Sequence, residues 1–234
     1  MQVAIVDTTG LIGVYDTTTL DLVLSPFKAH TNKTNHIKLS PYNSSIIVTC
    51  SDDYTVKIWN LYLNWTLIRN YTGHSSMVTS FDFIDEDTIV SGSYDGSIKI
   101  WSISTGVTLK TIVTGYNLRS LKILNNGFYL AASWGIGAYV YNMNDGQYIK
   151  YLYNNYGYIQ DFVLLDNNLV ASTDDEVINI WDYRTSPIKI NTTLNGHSDK
   201  VYGLKLVSTD VLASASLDAT IKLWNITSGT LIRT

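Results

Sequence analysis

The sequence predicts an all-β fold built from about six successive four-stranded units. Three observations predict it. An aromatic residue closes a similar tetrapeptide six times, at Tyr15, Trp59, Trp101, Tyr141, Trp181 and Trp224, with spacings of 44, 42, 40, 40 and 43 residues. A period near 42 is long enough for four short strands and their turns. Apolar and polar residues alternate with period two within each unit, and turn signals recur every 8–12 residues, which marks short antiparallel strands.

The units can be justified in order. The first, 1–27, carries GVYD (13–16) and strand-like runs at 2–6, 11–16 and 20–25, so it lacks its innermost strand. The second, 28–71, carries KIWN (57–60), with runs at 34–39, 46–51, 54–60 and 65–71. The third, 72–113, alternates in VTSFDF (78–83) and SIKIWS (97–102). The fourth, 114–153, has YVYN (139–142), and the fifth, 154–194, has NIWD (179–182). The sixth, 195–234, alternates in VYGLKL (201–206) and TIKLWN (220–225), with strands expected at 200–206, 211–216, 220–225 and 229–234. No convincing helical stretch interrupts them.

Composition agrees. Hydrophobic residues are 45% and charged residues 15%, so a sizeable core can be buried, which argues against wholesale disorder. The 17 Tyr and 6 Trp, with abundant Val, Ile and Thr, favour strands. A net charge of −4 without a basic run argues against duplex nucleic acid or an acidic membrane surface as partner. No apolar run approaches a membrane span, and the N-terminus does not read as a signal peptide. Cys50 is the only cysteine, so no intrachain disulfide forms, which fits a reducing, intracellular (cytoplasmic or nuclear) setting. The six N-x-[ST] triplets, at Asn32, Asn43, Asn64, Asn70, Asn191 and Asn225, read as products of an Asn-, Ser- and Thr-rich composition.

Further features keep fixed offsets from the aromatic. Asp53, Asp95, Asp175 and Asp218 stand six residues before their Trp; Thr49, Ser91, Ala171 and Ser214 stand ten before. Ala29-His30, Gly73-His74 and Gly196-His197 put a His 29, 27 and 27 residues ahead. An indole N–H needs an acceptor when buried, a hydroxyl can relay to imidazole, and imidazole can donate to a carboxylate. Such a chain rigidifies a sheet when every member is satisfied. Ser, His and Asp also make hydrolase triads, but three copies at one period point to scaffolding, and no G-x-S-x-G elbow is present.

With SGSYDGSIKIWS (91–102) and SASLDATIKLWN (214–225), this pattern resembles the WD-repeat family over essentially the whole chain. The resemblance implies a single β-propeller domain of four-stranded antiparallel blades, about six of them, the first incomplete. It implies three complete structural tetrads: His30, Thr49, Asp53, Trp59; His74, Ser91, Asp95, Trp101; and His197, Ser214, Asp218, Trp224. Blades four and five depart from the pattern. Gly115-Tyr116 and Asn155-Tyr156 replace Gly-His, Ala131 and Ala171 replace the hydroxyl, and blade four has Gly135 and Tyr141 for Asp and Trp. These blades are expected to rest on apolar packing. In the tight turns, Gly96 suits a positive φ, whereas Tyr54, Glu176 and Ala219 suit it less.

The resemblance further implies a non-catalytic scaffold for protein–protein interaction, binding peptides or domains on the top face of the propeller, with no cofactor, no metal and no catalytic residue. The alternative is a regulatory or sensor portion of a larger multidomain protein. Residues before the turn Asp (Asp52, Tyr94, Asp174, Leu217, with Trp134 in blade four) and near the innermost strand's start (Asn35, Thr79, Arg119, Gln160, Tyr202) map to that face. Tyr94, Arg119, Trp134 and Tyr202 are the partner-binding candidates; the competing reading makes Trp134 a space filler and Tyr94 a tolerated surface aromatic. Asp85, Glu86 and Asp87 read as a solvated turn, and Cys50 as a buried thiol. Since LIRT (231–234) parallels LIRNYTGH (67–74), the expectation is a portion of a larger array; a six-bladed ring with one thin blade, or an open arc, is the other reading.

Overall fold

The structure, a computed structural model, describes residues 2–6, 9–16, 18–19, 21–63, 65–124, 128–133, 137–153, 157–165, 169–183, 185 and 189–234. Among these, every regular element is a strand. Blade one has β1 (Gln2–Val6), β2 (Leu11–Asp16) and β3 (Leu22–Lys28). Blade two has β4 (Thr34–Leu39), β5 (Ile46–Ser51), β6 (Val56–Asn60) and β7 (Thr66–Tyr71). Blade three follows with β8 (Val78–Phe83), β9 (Thr88–Ser93), β10 (Ser97–Ser102) and β11 (Thr108–Val113). Blade four comprises β12 (Leu118–Leu124), β13 (Phe128–Ser133), β14 (Gly137–Asn142) and β15 (Tyr148–Tyr153). Blade five has β16 (Phe162–Leu164), β17 (Leu169–Asp174), β18 (Val177–Asp182) and β19 (Lys189–Leu194). Blade six ends the chain with β20 (Val201–Ser208), β21 (Val211–Ser216), β22 (Ile221–Asn225) and β23 (Thr230–Arg233).

Among the described residues each sheet takes its strands in sequence order, one three-stranded and five four-stranded. The fold class read from the sequence, an all-β array of antiparallel propeller blades with an incomplete first blade, is what the structure has. The backbone divides into two compact units, Met1–Leu118 and Arg119–Thr234. In the first unit, Ile12, Val14 and Ala29 of the first repeat boundary pack on Ile47 and Trp59 of blade two. Val48, Cys50, Val56 and Ile58 of blade two then pack on Phe81, Ile89 and Trp101 of blade three. In the second unit, Ala138, Val140 and Leu152 pack on Phe162, Val170 and Trp181, and Ala171, Ile178 and Ile180 on Leu204, Leu212 and Trp224. The core therefore lies between sheets. A period-two strand with apolar residues on both faces is suited to sit between two neighbours.

Two bulges recur. Every third strand shifts register against its fourth immediately before the repeat aromatic: at Ile58/Trp59, Ile100/Trp101, Val140/Tyr141, Ile180/Trp181 and Leu223/Trp224. A second shift opens the innermost strand, at Thr34/His36, Val78/Ser80 and Val201/Gly203. An extra residue turns a side chain out of the pleat, here Asn35, Thr79 and Tyr202. No described helix is long and apolar enough to cross a membrane.

Candidate functional site

Three hydrogen-bonded chains repeat almost atom for atom. In blade three the Trp101 Nε1–H donates to Ser91 Oγ at 2.8 Å. The Ser91 hydroxyl meets His74 Nε2 at 2.8 Å, and His74 Nδ1 meets Asp95 Oδ2 at 2.8 Å. In blade two the corresponding distances are 3.0 Å (Trp59 to Thr49), 2.7 Å (Thr49 to His30) and 2.9 Å (His30 to Asp53). In blade six they are 2.8 Å (Trp224 to Ser214), 2.7 Å (Ser214 to His197) and 2.6 Å (His197 to Asp218). A carboxylate facing Nδ1 fixes the tautomer. Nδ1 carries the proton and Nε2 accepts from the hydroxyl, whose oxygen accepts the hydrogen bond of the indole N–H.

Sequence reading missed two further members of each set. The hydroxyls of Thr55, Ser97 and Thr220 donate to their aspartates at 2.6 Å. Ser51, Ser93 and Ser216 accept the backbone N–H of the same aspartates at 3.0–3.1 Å. The signal was present as hydroxyl residues four and eight positions before each Trp. Burial alone raises Asp53, Asp95 and Asp218. The hydrogen bonds converging on each outweigh it, and all three carboxyls lie below the usual carboxylate range. Burial lowers His74, with the Asp95 hydrogen bond opposing.

Gly73 has its own reason for being glycine. A Cβ there would lie 2.4 Å from the Trp101 ring. At the matching position before His30, the Ala29 methyl is buried without such a clash, and the His-to-Trp spacing is two residues longer.

Blade five corrects the offset rule. Its indole does have a hydroxyl partner: Trp181 Nε1–H donates to Ser172 Oγ at 2.8 Å, and Ser172 is fully buried. The hairpin between β17 and β18 closes with Asp174 opposite Val177, leaving a two-residue turn. Blade three has three residues, 94–96, between its strands. With one residue removed, Ser172 faces Asn179 as Ser91 faces Lys99. The hydroxyl thus stands nine residues before the Trp, and Ala171 is not its equivalent. The positive φ moves too. Tyr54, Gly96 and Ala219 all adopt it, but in blade five it falls on Asp175 (φ 51°) and not on Glu176.

Blade four keeps apolar and aromatic packing. Tyr141 is buried, with Tyr148 at 6.2 Å edge-on, and Tyr139 lies 4.8 Å from Tyr151. Asn155, Tyr156, Gly135 and Trp134 lie outside the described residues, as does the side chain of Ala131. Asp87 is more engaged than a solvated turn. It accepts from the Ser104 backbone (2.7 Å) and from the Ser104 and Ser102 hydroxyls, which lowers its carboxyl.

The remaining loop candidates separate by what they touch. Asn35 donates to Asp52 at 2.7 Å and to the Val78 carbonyl of blade three at 3.0 Å. Thr79 donates to the Leu118 carbonyl at 2.7 Å. Gln160 uses its backbone N–H on Thr173. Tyr94 and Arg119, which belong to different units, are each partly buried. Tyr202 is 48% exposed and Leu217 58%. In the second unit a cavity of about 450 Å³ is lined by Asp174, Asp175, Glu176, Val177, Ser198, Asp199 and Lys200, with Lys200 paired to Asp175 at 3.7 Å and Asp174 buried and bonded to Asn179. Among the described residues, no group of three or more His, Cys, Asp or Glu is placed to hold a metal ion.

The WD domain, G-beta repeat model matches residues 22–60, 65–102 and 188–225. These segments close on Trp59, Trp101 and Trp224, the three indoles with complete chains. The nuclear distribution protein PAC1 of Candida albicans is 30% identical over 87% of this chain and 42% of its own length. The periodic tryptophan protein 2 of Arabidopsis thaliana is 25% identical over 96% of this chain and 25% of its own. The chain thus spans well under half the length of these relatives. Among solved structures, the computationally designed Ika8 protein matches with a TM-score of 0.75 at 25% identity, over 99% of this chain and 70% of that one. Repeat period, blade geometry and hydrogen-bonded Trp chains therefore have one origin: the chain belongs to the WD-repeat β-propeller family.

Proposed function

We propose that the protein is a non-catalytic scaffold that binds peptides or domains of other proteins through the loops at the Asp-turn end of its blades. The observation that carries this reading is where the reactive side chains are spent. Three of the four histidines and three aspartates are tied into the Trp chains, with Ser91 fully buried and Ser214 1% exposed. Each of those hydroxyls already bonds an indole and an imidazole, which leaves no room for an acyl group. Beside them the loops present large side chains to solvent, Tyr54, Tyr202 and Leu217 among them. Exposed aromatics are the usual anchors of protein interfaces. The exposed Glu176 and Asp199 at the cavity add a preference for partner segments carrying Lys or Arg. Nucleic acid is disfavoured by the net charge of −4 and the lack of a basic run.

Affinity capture with the full chain as bait tests this. Tyr202→Ala, and separately a triple alanine variant of Tyr94, Arg119 and Trp134, are expected to lose a saturable protein partner while melting as the parent does. Equal capture by all variants, or turnover of a substrate at the blade loops, overturns the reading. A regulatory portion of a larger protein is the second reading, favoured by the 42% and 25% coverage of the relatives. A single thiol with no disulfide partner supports an intracellular location.

A further inference from the structure

Blade six opens its Trp chain with Asn195-Gly196-His197, where blade three has Thr72-Gly73-His74 and blade two has Lys28-Ala29-His30. Both ends of the blade six segment are fixed. His197 Nε2 lies 2.7 Å from Ser214 Oγ, and its Nδ1 faces Asp218 at 2.6 Å. On the other side Leu194 is buried and pairs with Ile178. Asn195 and Gly196 span the gap between these anchors, and both are exposed. That exposure belongs to the position in the repeat, since Thr72 and Gly73 are exposed in blade three as well.

Asparagine is among the thermolabile side chains, and here its surroundings do little to restrain it. The Asn195 carboxamide is loosely tied, with Nδ2 donating to the Thr193 carbonyl at 3.4 Å. Among the described residues, the Gly196 N–H has no hydrogen-bond partner. Glycine also puts no side chain beside that nitrogen. The repeat favours a small residue there, because a Cβ would lie 3.1 Å from the Trp224 ring. The packing of the Trp chain thus keeps an unshielded nitrogen next to an exposed carboxamide.

We propose that Asn195-Gly196 is a site of enzyme-independent modification, where Asn195 converts to aspartate and isoaspartate and the His197 end of the blade six Trp chain is relaxed. The Gly196 nitrogen bonds to the Asn195 Cγ and closes a five-membered imide. The Cγ–Nδ2 bond breaks, and Nδ2 leaves as ammonia with the proton that Gly196 gives up. Water then adds to one imide carbonyl and a ring C–N bond opens. Opening at Cγ gives aspartate; opening at the main-chain carbonyl gives isoaspartate, with one more methylene in the main chain. One water is consumed and one ammonia released, and nothing is oxidised or reduced. The added methylene falls in a segment clamped at Leu194 and His197, so the strain is passed to the His197 bonds.

Peptide mapping of the full chain, held at neutral pH and body temperature, tests this. The tryptic peptide 190–200 is expected to gain, at Asn195, the mass difference between water and ammonia, and to become a substrate for isoaspartyl methyltransferase. Asn126-Gly127, outside the described residues, falls in a different peptide. Asn195→Thr reproduces the blade three triplet and is expected to melt as the parent and to leave that position unchanged. The isoaspartyl fraction, separated by chromatography, is expected to melt below the parent, whereas Asn195→Asp, with the charge but not the methylene, melts with it. Asn195 that stays intact in the folded chain while the urea-unfolded chain converts overturns the proposal, because the fold then protects the pair. So does an isoaspartyl fraction as stable as the parent. Neither result depends on the variants folding.

Discussion

At the scale of single residues, the hydroxyl is the hinge of each Trp chain, because it alone bonds both neighbours. Removing it leaves an indole N–H and an imidazole nitrogen buried without partners. Ser91→Ala is therefore expected to lower the unfolding free energy by about 1–3 kcal/mol, measured by urea denaturation. A change near zero would mean that water replaces the hydroxyl. Titration gives a second check. Burial holds His74 below its ordinary 6.5. On acidification the unfolded chain takes up this proton first, so the His74 contribution to stability is complete above pH 6.5. It is lost as pH falls through 6.5 toward the folded value. Asp161 acts in the other direction: burial raises its carboxyl, with the Leu204 N–H, Lys122 and the Phe162 N–H opposing, so its contribution is lost as pH rises through the folded value. Ring nitrogen shifts are the cleaner readout, and they are expected to place the His74 midpoint below 6.5. These chains were legible in the sequence because their offsets repeat. Their hydroxyl supports at 55, 97 and 220 repeat as well, but a Ser or Thr in a Ser- and Thr-rich chain draws no notice until a carboxylate is seen beside it.

Blades and hairpins show where sequence spacing misleads. Strand positions were readable to within a few residues, because alternation is set by the pleat and survives any neighbour. Counting back from the Trp failed in blade five, because the count runs through a turn whose length is not fixed. A two-residue turn there moves the hydroxyl to Ser172 and the positive φ to Asp175. Ser172→Ala is expected to cost about 1–3 kcal/mol, as for the other buried hydroxyls. A variant as stable as the parent in urea would place blade five back among the purely apolar blades. The recurrent bulge before each aromatic was not legible at all. It depends on how the fourth strand pairs, and no residue type at that position announces it.

Across the whole molecule, stability is a sum of sheet-to-sheet interfaces, each made by residues one period apart. The sequence displayed that period and so displayed the architecture. What it left open was which loop side chains stay free, since Asn35 and Thr79 look as available as Tyr202 until their acceptors on the next sheet are placed. Fully buried Cys50, between blades two and three and with its thiol pushed upward by burial, gives this architecture a built-in clock. A disulfide reagent can reach that sulfur only while the two sheets part. In a chain with one cysteine, the release of chromophore at reagent concentrations where reaction outruns reclosing is then the opening rate of that interface.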